Sequence, residues 1–182
     1  MTDITRMGLL LKAAAFASRK HSTQRRKDDE ASPYINHPLA LADVLANEGG
    51  IDDAETLCAA LLHDTIEDTE TTADELREQF GAAIAGIVGE VTDDKSLTKA
   101  RRKELQVERA THASPMAKLV KLADKICNLR DILASPPADW PLERKRAYFE
   151  WAARVVAGVR GCNAELERAF DDVYRRGLST LA

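Results

Sequence analysis

The sequence predicts an all-α fold, and three observations predict it. Apolar residues recur at helical spacing through nearly all of the 182 residues. No run alternates β-branched and polar residues, as a half-buried strand would. Start and stop signals bracket the periodic stretches. The first helix is expected over Thr5–Lys20, amphipathic, followed by a loop that is basic and then acidic, RRKDDEASPY. Asn36 is placed as the cap of a helix that begins near His37 and ends at Gly49 and Gly50. A third helix is predicted from about Asp52 through Thr65. Thr72 and Glu75 form a capping-box pattern for a short helix that stops at Gly81, and Ala82–Val91 is the next helix. TDDKSLTK reads as a loop, and Leu97–Thr111 as a charged, exposed helix. Ser114 caps a helix with Pro115 at its first position, running to about Ser135. Beyond the loop PPADWP lie helices Leu142–Arg160 and Asn163–Arg176, with Gly177 as a C-terminal stop. There is no internal repeat and no low-complexity linker, so one helical bundle domain over 1–182 is expected.

Composition excludes several classes. Hydrophobic residues make up 45% and charged residues 31%, as in a globular domain. A net charge of −4 gives no bias toward nucleic acid or an anionic membrane, and neither is expected as a partner. The longest apolar runs, such as Ala82–Val88, are far too short to span a bilayer. The first twenty-one residues read as an amphipathic helix rather than a signal peptide. Cys58, Cys127 and Cys162 are scattered, odd in number and without knuckle spacing, which predicts small buried hydrophobes in a reducing, cytoplasmic compartment.

The chemistry concentrates in LCAALLHDTIEDTE, residues 57–70. Its first half is apolar on nearly every face, as in a helix buried all round. Such a helix runs into His63, Asp64, Glu67 and Asp68, although buried carboxylates are costly without a cation. Glu67 follows His63 by four residues and Asp68 follows Asp64 by four, so each pair stacks one turn apart. The plainer alternative is the exposed end of a core helix, which would set acidic residues against the macrodipole. In KLVKLADKICNLRDIL, residues 118–133, Leu119, Leu122, Ile126, Leu129 and Leu133 form an apolar face. Lys121, Asp124, Asn128 and Asp131 follow at helical spacing on another, so Asp124 and Asn128 can address one site, or simply face solvent. His37 sits in PYINHP, held between Pro33 and Pro38. Taken together, two imidazoles and two carboxylates in the order His, His-Asp, Asp suit a borderline divalent ion such as Mn²⁺, Fe²⁺ or Zn²⁺. The basic runs Arg19–Lys27 and Lys95–Lys103 read mainly as solvated faces, although a polyphosphate at an acidic site needs some such cations.

That order resembles the HD-domain phosphohydrolases. The longer strings RRKDDEASPYINHP, AALLHDTIEDT, EVTDDKSLTK and KLVKLADKICNLRD resemble the hydrolase domain of the RelA/SpoT family, closest to its stand-alone members, the small alarmone hydrolases of the metazoan SpoT type. The resemblance runs from about Gly8 to Gly177 and leaves no room for a synthetase domain within these residues. It implies a single HD-domain bundle with a metal-site core at about 34–131. It further implies hydrolysis of ppGpp and pppGpp at the 3′-diphosphate, giving GDP or GTP and pyrophosphate, with Mn²⁺ as the usual metal. By position, His37, His63, Asp64 and Asp124 carry over as metal ligands, and Glu67 and Asp68 as the catalytic pair. Arg26, Lys27, Asn128, Arg144 and Tyr148 carry over as substrate contacts. Cys127 stands where longer relatives often have histidine, and the loop between Lys27 and Pro33 is longer than usual. The rival readings are a phosphatase acting on the 2′-phosphate of NADPH or on nucleoside monophosphates, and a non-catalytic alarmone-binding module. The intact ligand and acidic sets argue against the second.

Overall fold

The structure is a computed structural model and describes residues 5–182. Its helices are α1 (Arg6–Lys20), α2 (Asn36–Asp43), α3 (Ala54–Leu62), α4 (Thr65–Asp68), α5 (Ala73–Phe80), α6 (Ala82–Val91), α7 (Lys99–Ala110), α8 (Pro115–Ala134), α9 (Leu142–Val159) and α10 (Ala164–Thr180), with a π-turn at Val44–Glu48 extending α2. Among the described residues there is no strand, only an isolated bridge between Arg25 and Pro33. The fold is the all-α bundle that the periodicity predicts.

Side-chain caps start most of the helices. Thr5, Asp53, Thr72, Thr98, Ser114 and Asn163 each accept a hydrogen bond from the backbone N–H three residues on, satisfying one of the donors a helix start leaves open. At Gly81, φ of +89° lets α5 turn directly into α6 without the penalty a Cβ would bring.

Two helices form the centre. Every residue of α3 from Thr56 to Leu62 is buried, and α3 packs against α1, α2, α6 and α8. Helix α8 packs against α2, α3, α6, α9 and α10. Leu62, Leu122, Ile126 and Leu129 are fully buried between them, each contributing about 1.5–3 kcal/mol of transfer free energy. The elements that carry the chemistry are thus the ones the core grips hardest.

The bundle differs from the sequence-based expectation at four points. Asn36 is the first residue of α2 and not its cap, a position held by Ile35 without any side-chain bond. Helix α3 ends at Leu62, and His63 and Asp64 break it before the short turn α4, so Glu67 and Asp68 do not oppose the dipole of a long helix. Helix α7 is not merely a solvated face. Ala110 is fully buried, and the Trp151 indole N–H of α9 donates to the Lys103 carbonyl at 3.0 Å. Finally, α10 runs through Gly177 to Thr180. Gly177 serves close packing, since a Cβ there would lie 1.9 Å from Phe149 Cε1.

Candidate metal centre and active site

The helix break at the end of α3 creates the site. His63 sits at the C-cap, buried, with Nδ1 2.8 Å from the Ala60 carbonyl oxygen. A carbonyl can only accept, so Nδ1 carries the hydrogen and the Nε2 lone pair is free. His37 lies in the first turn of α2, buried, its backbone N–H donating to the Tyr34 carbonyl oxygen. Asp124 comes from the middle of α8. The ligating atoms of His37, His63 and Asp124 all lie within 4.8 Å of one another. His37 Nε2 is 3.2 Å from Asp124 Oδ1. Asp64 joins at the edge, its Oδ2 2.9 Å from His63 Nε2.

The arrangement fits a cation. His63 Nε2 has no hydrogen-bond partner despite Asp64 nearby, so a lone pair and a carboxylate oxygen face one another at 2.9 Å. Two acceptors that close need a positive charge beside them. A proton on Nε2 or a metal ion there supplies it. Burial works against a charge on the ring, but the Asp64 carboxylate, with Asp124, holds the His63 pKa up at about 9. Against the same burial, His63 and His37 hold the Asp64 carboxyl far below the usual carboxylate range. Asp124 is held low likewise, chiefly by the Lys125 ammonium. Two imidazoles and the Asp124 carboxylate converge, with Asp64 outside that group of three, and a donor set of nitrogen and oxygen suits a borderline divalent ion.

Residues 13–155 match the sequence profile of the HD domain. The chain belongs to the HD-domain family. Human MESH1, a guanosine-3′,5′-bis(diphosphate) 3′-pyrophosphohydrolase, is 57% identical over 171 residues, covering 93% of this chain and 96% of its own. MESH1 of Drosophila melanogaster is 48% identical over 164 residues, covering 90% and 92%. A solved structure described as a metazoan orthologue of SpoT that hydrolyses ppGpp superimposes with a TM-score of 0.90 at 45% identity, over 92% of this chain and 94% of that one.

Around this HD-domain centre, Asn128 Nδ2 donates to Asp124 Oδ1 at 2.6 Å and Lys125 Nζ to Oδ2 at 2.8 Å, which fixes the carboxylate's orientation. The Tyr34 hydroxyl donates to Asp64 Oδ2 at 2.5 Å and lies 3.4 Å from Asp68 Oδ2. Tyr34 thus joins one half of the site to the other.

The acidic pair is held by cations from the next segment. Lys95 pairs with Asp68, and Arg102 of α7 pairs with Glu67 at 3.3 Å. Burial raises the Glu67 pKa, and the Asp93, Asp64 and Asp68 carboxylates add to it, while the Asp93 backbone N–H opposes. A second buried cation, Lys121, is driven down to about 8 by burial and by Lys125.

A cleft of about 430 Å³ opens beside the cluster, lined by Arg26, Lys27, Tyr34, His37, Asn128, Asp131, Trp140 and Tyr148 among others. Arg26 pairs with Asp131 and lies over the Tyr34 ring. Arg144 does not line the cleft but stacks on Trp140, which packs against Tyr148. The Trp140 indole N–H is buried without a partner. The longer loop after Lys27 folds on itself, with Arg26 N–H donating to Ser32 O at 2.8 Å, and leaves the basic pair at the cleft wall. Cys127 is buried in the core, with its thiol pushed up to about 12 by burial.

Cations gather beside the cleft, Lys103 over the Tyr148 ring and Arg144 over Trp140. Burial lowers the Lys99 pKa, and Arg144, Lys27 and Arg102 lower it further. Burial together with Lys99, Lys125 and Arg144 does the same to Lys103. Among the described residues, Lys27, Lys99, Lys103 and Arg144 form no salt bridge.

The cleft therefore receives Arg26, Lys27, Asn128 and Tyr148, as the sequence predicts, and Arg144 at one remove. Sequence reasoning missed Tyr34, Trp140 and Lys125, and held Lys95, Lys99 and Arg102 only as members of a basic run read mainly as solvated. Tyr34 lay inside the quoted PYINHP string, and Lys125 beside Asp124, but neither carries a spacing signal of its own.

Proposed function

We propose that the chain is a divalent-metal-dependent 3′-pyrophosphohydrolase of ppGpp and pppGpp, with Mn²⁺ as its metal. The observation that carries this reading is the pairing of opposites: an acidic, cation-requiring cluster beside a cleft whose wall carries Lys27, with Lys99, Lys103 and Arg144, also without salt bridges among the described residues, gathered behind its lining. A neutral or singly charged substrate would leave that repulsion unrelieved. A nucleotide carrying two diphosphates relieves it. The names of the relatives, including the human and fly MESH1 proteins, point to the same substrate.

In this reading His37, His63, Asp64 and Asp124 hold the ion, which when bound polarises a phosphoryl oxygen and eases deprotonation of water. Glu67 accepts the proton of the water that attacks the phosphorus bearing the ribose 3′-oxygen. Its raised pKa makes it a better base near neutrality than an ordinary carboxylate. The bond to the 3′-oxygen breaks, and pyrophosphate departs from GDP or GTP. Asp68, fixed by Lys95 and Tyr34, orients the water. Arg26 and Lys27 neutralise the 3′-diphosphate, the arginine by a forked contact and the lysine as a point charge. Tyr148 and Trp140, the latter braced by Arg144, offer aromatic faces to the base. Asn128, donating to Asp124 Oδ1, would fix the carboxylate that holds the metal. The free state of Cys58, Cys127 and Cys162 supports a reducing, cytoplasmic setting. Among the described residues no helix is long and apolar enough to cross a membrane.

The test is turnover of ppGpp, NADPH and deoxynucleoside monophosphates, with and without Mn²⁺, with products separated by chromatography. GDP with pyrophosphate, only with metal, is the expected result. Inorganic phosphate released from NADPH or a monophosphate, with ppGpp untouched, would replace this reading by the phosphatase one.

A further inference from the structure

The string EVTDDKSLTK supplies none of the metal ligands and neither member of the acidic pair, and α7 behind it carries mostly exposed charge. Both nevertheless enter the centre through one unbroken chain of hydrogen bonds. The Asp93 backbone N–H donates to Glu67 Oε2 at 3.1 Å. Gln106 Nε2, on α7, donates to Asp93 Oδ2 at 2.7 Å. Lys125 Nζ donates to Gln106 Oε1 at 3.1 Å and to Asp124 Oδ2 at 2.8 Å. Asn128 completes the series on Asp124 Oδ1.

Gln106 is the central link, and its chemistry is fixed at both ends. Its amide N–H faces a carboxylate and its carbonyl oxygen faces an ammonium. Turning the amide over would set two donors together and two acceptors together. The ammonium it steadies is buried, with only 5% of the Lys125 side chain exposed, and lies over the Trp151 ring at 4.4 Å. Lys125 therefore has little freedom to find another partner. The same amide restrains the loop whose backbone N–H holds Glu67.

We propose that Gln106 is a positioning residue that couples the seating of Asp124 to the placement of Glu67, although it lines neither the metal cluster nor the cleft. The proposal rests on the roles given to Asp124 and Glu67 above. Metal affinity and turnover then depend together on one amide carried by α7.

The experiment titrates metal-free protein with Mn²⁺ by calorimetry and measures ppGpp turnover at saturating Mn²⁺. Gln106→Met, which keeps the length of the side chain, should weaken Mn²⁺ binding by about tenfold or more. It should lower kcat more than it raises KM, with the melting temperature of the metal-free protein near that of the wild type. Gln106→Glu keeps the acceptor for Lys125 but sets a like charge against Asp93. Its Mn²⁺ affinity should stay within about threefold of the wild type while kcat falls by about tenfold. Arg101→Ala, which removes only pairs with Glu104 and Glu108, should change neither constant. A folded Gln106→Met with unchanged affinity and turnover overturns the proposal, as does a lower melting temperature with both constants intact. If Gln106→Met does not fold, Gln106→Glu decides, and weakened Mn²⁺ binding with full kcat overturns the coupling. Should the wild type fail to cleave ppGpp, the functional reading falls, and the Mn²⁺ isotherms still decide the link from Gln106 to Asp124.

Discussion

Replacing Arg102 by glutamine removes the guanidinium that holds Glu67, and the consequence can be followed in the pH dependence of turnover. The charges lie 3.3 Å apart, with side chains 24% and 19% exposed. At that separation two unit charges attract by about 5 kcal/mol at an effective dielectric constant of about 20, and by about 1 kcal/mol in water. A partly exposed pair lies toward the lower figure once desolvation and screening are counted. A loss of about 1.4 kcal/mol for the charged form of Glu67 corresponds to about one pKa unit. The sign is fixed. Burial already raises the Glu67 pKa, and loss of the cation raises it further. Glu67 acts as a base, so activity falls as pH drops through its pKa. The acidic limb of the kcat profile should therefore move to higher pH by about one unit in Arg102→Gln, with the two enzymes converging on the alkaline side. The assay is pyrophosphate release from saturating ppGpp at saturating Mn²⁺. An acidic limb that stays in place, or moves to lower pH, would refute Glu67 as the base held by Arg102.

Further outcomes are expected elsewhere. Glu67→Ala should keep bound Mn²⁺, measured by elemental analysis, while turnover falls by about 100-fold or more. Asp124→Ala should lose the metal outright, and an unchanged metal content would remove it from the ligand set. Lys99→Ala and Arg144→Ala should each raise KM for ppGpp by about tenfold and flatten its dependence on salt, because each removes a cation without a counter-ion. Gly177→Ala forces a methyl group into the Phe149 ring and should cost about 1–3 kcal/mol, lowering the melting temperature by about 5 °C with turnover retained.

The helices that the sequence specifies best are those whose signals are local. Ala82–Val91 is predicted and found with the same bounds, and Ser114-Pro115 caps α8 as expected. Gly177 reads as a stop because glycine after a helical run is the usual local signal, yet its neighbour Phe149 lies 28 positions earlier on α9. The break at His63 and Asp64 was equally hidden, since periodicity continues unbroken across it. Helix α7 shows the limit most sharply. A segment dense in Lys, Arg and Glu reads as solvated, and only the packing shows that Arg102 and Gln106 turn inward while Arg101 and Glu108 turn out.

Residue type and order determine the helical class, the buried α3 and the apolar face of α8, and a set of histidines and carboxylates that suits a cation. Those properties follow from periodicity and from the cost of burying charge, both written along the chain. Which cations steady Glu67 and Asp68, and which lysines and arginines gather beside the cleft, are decided by tertiary structure alone. They depend on distances between residues tens of positions apart, and no local pattern carries those distances.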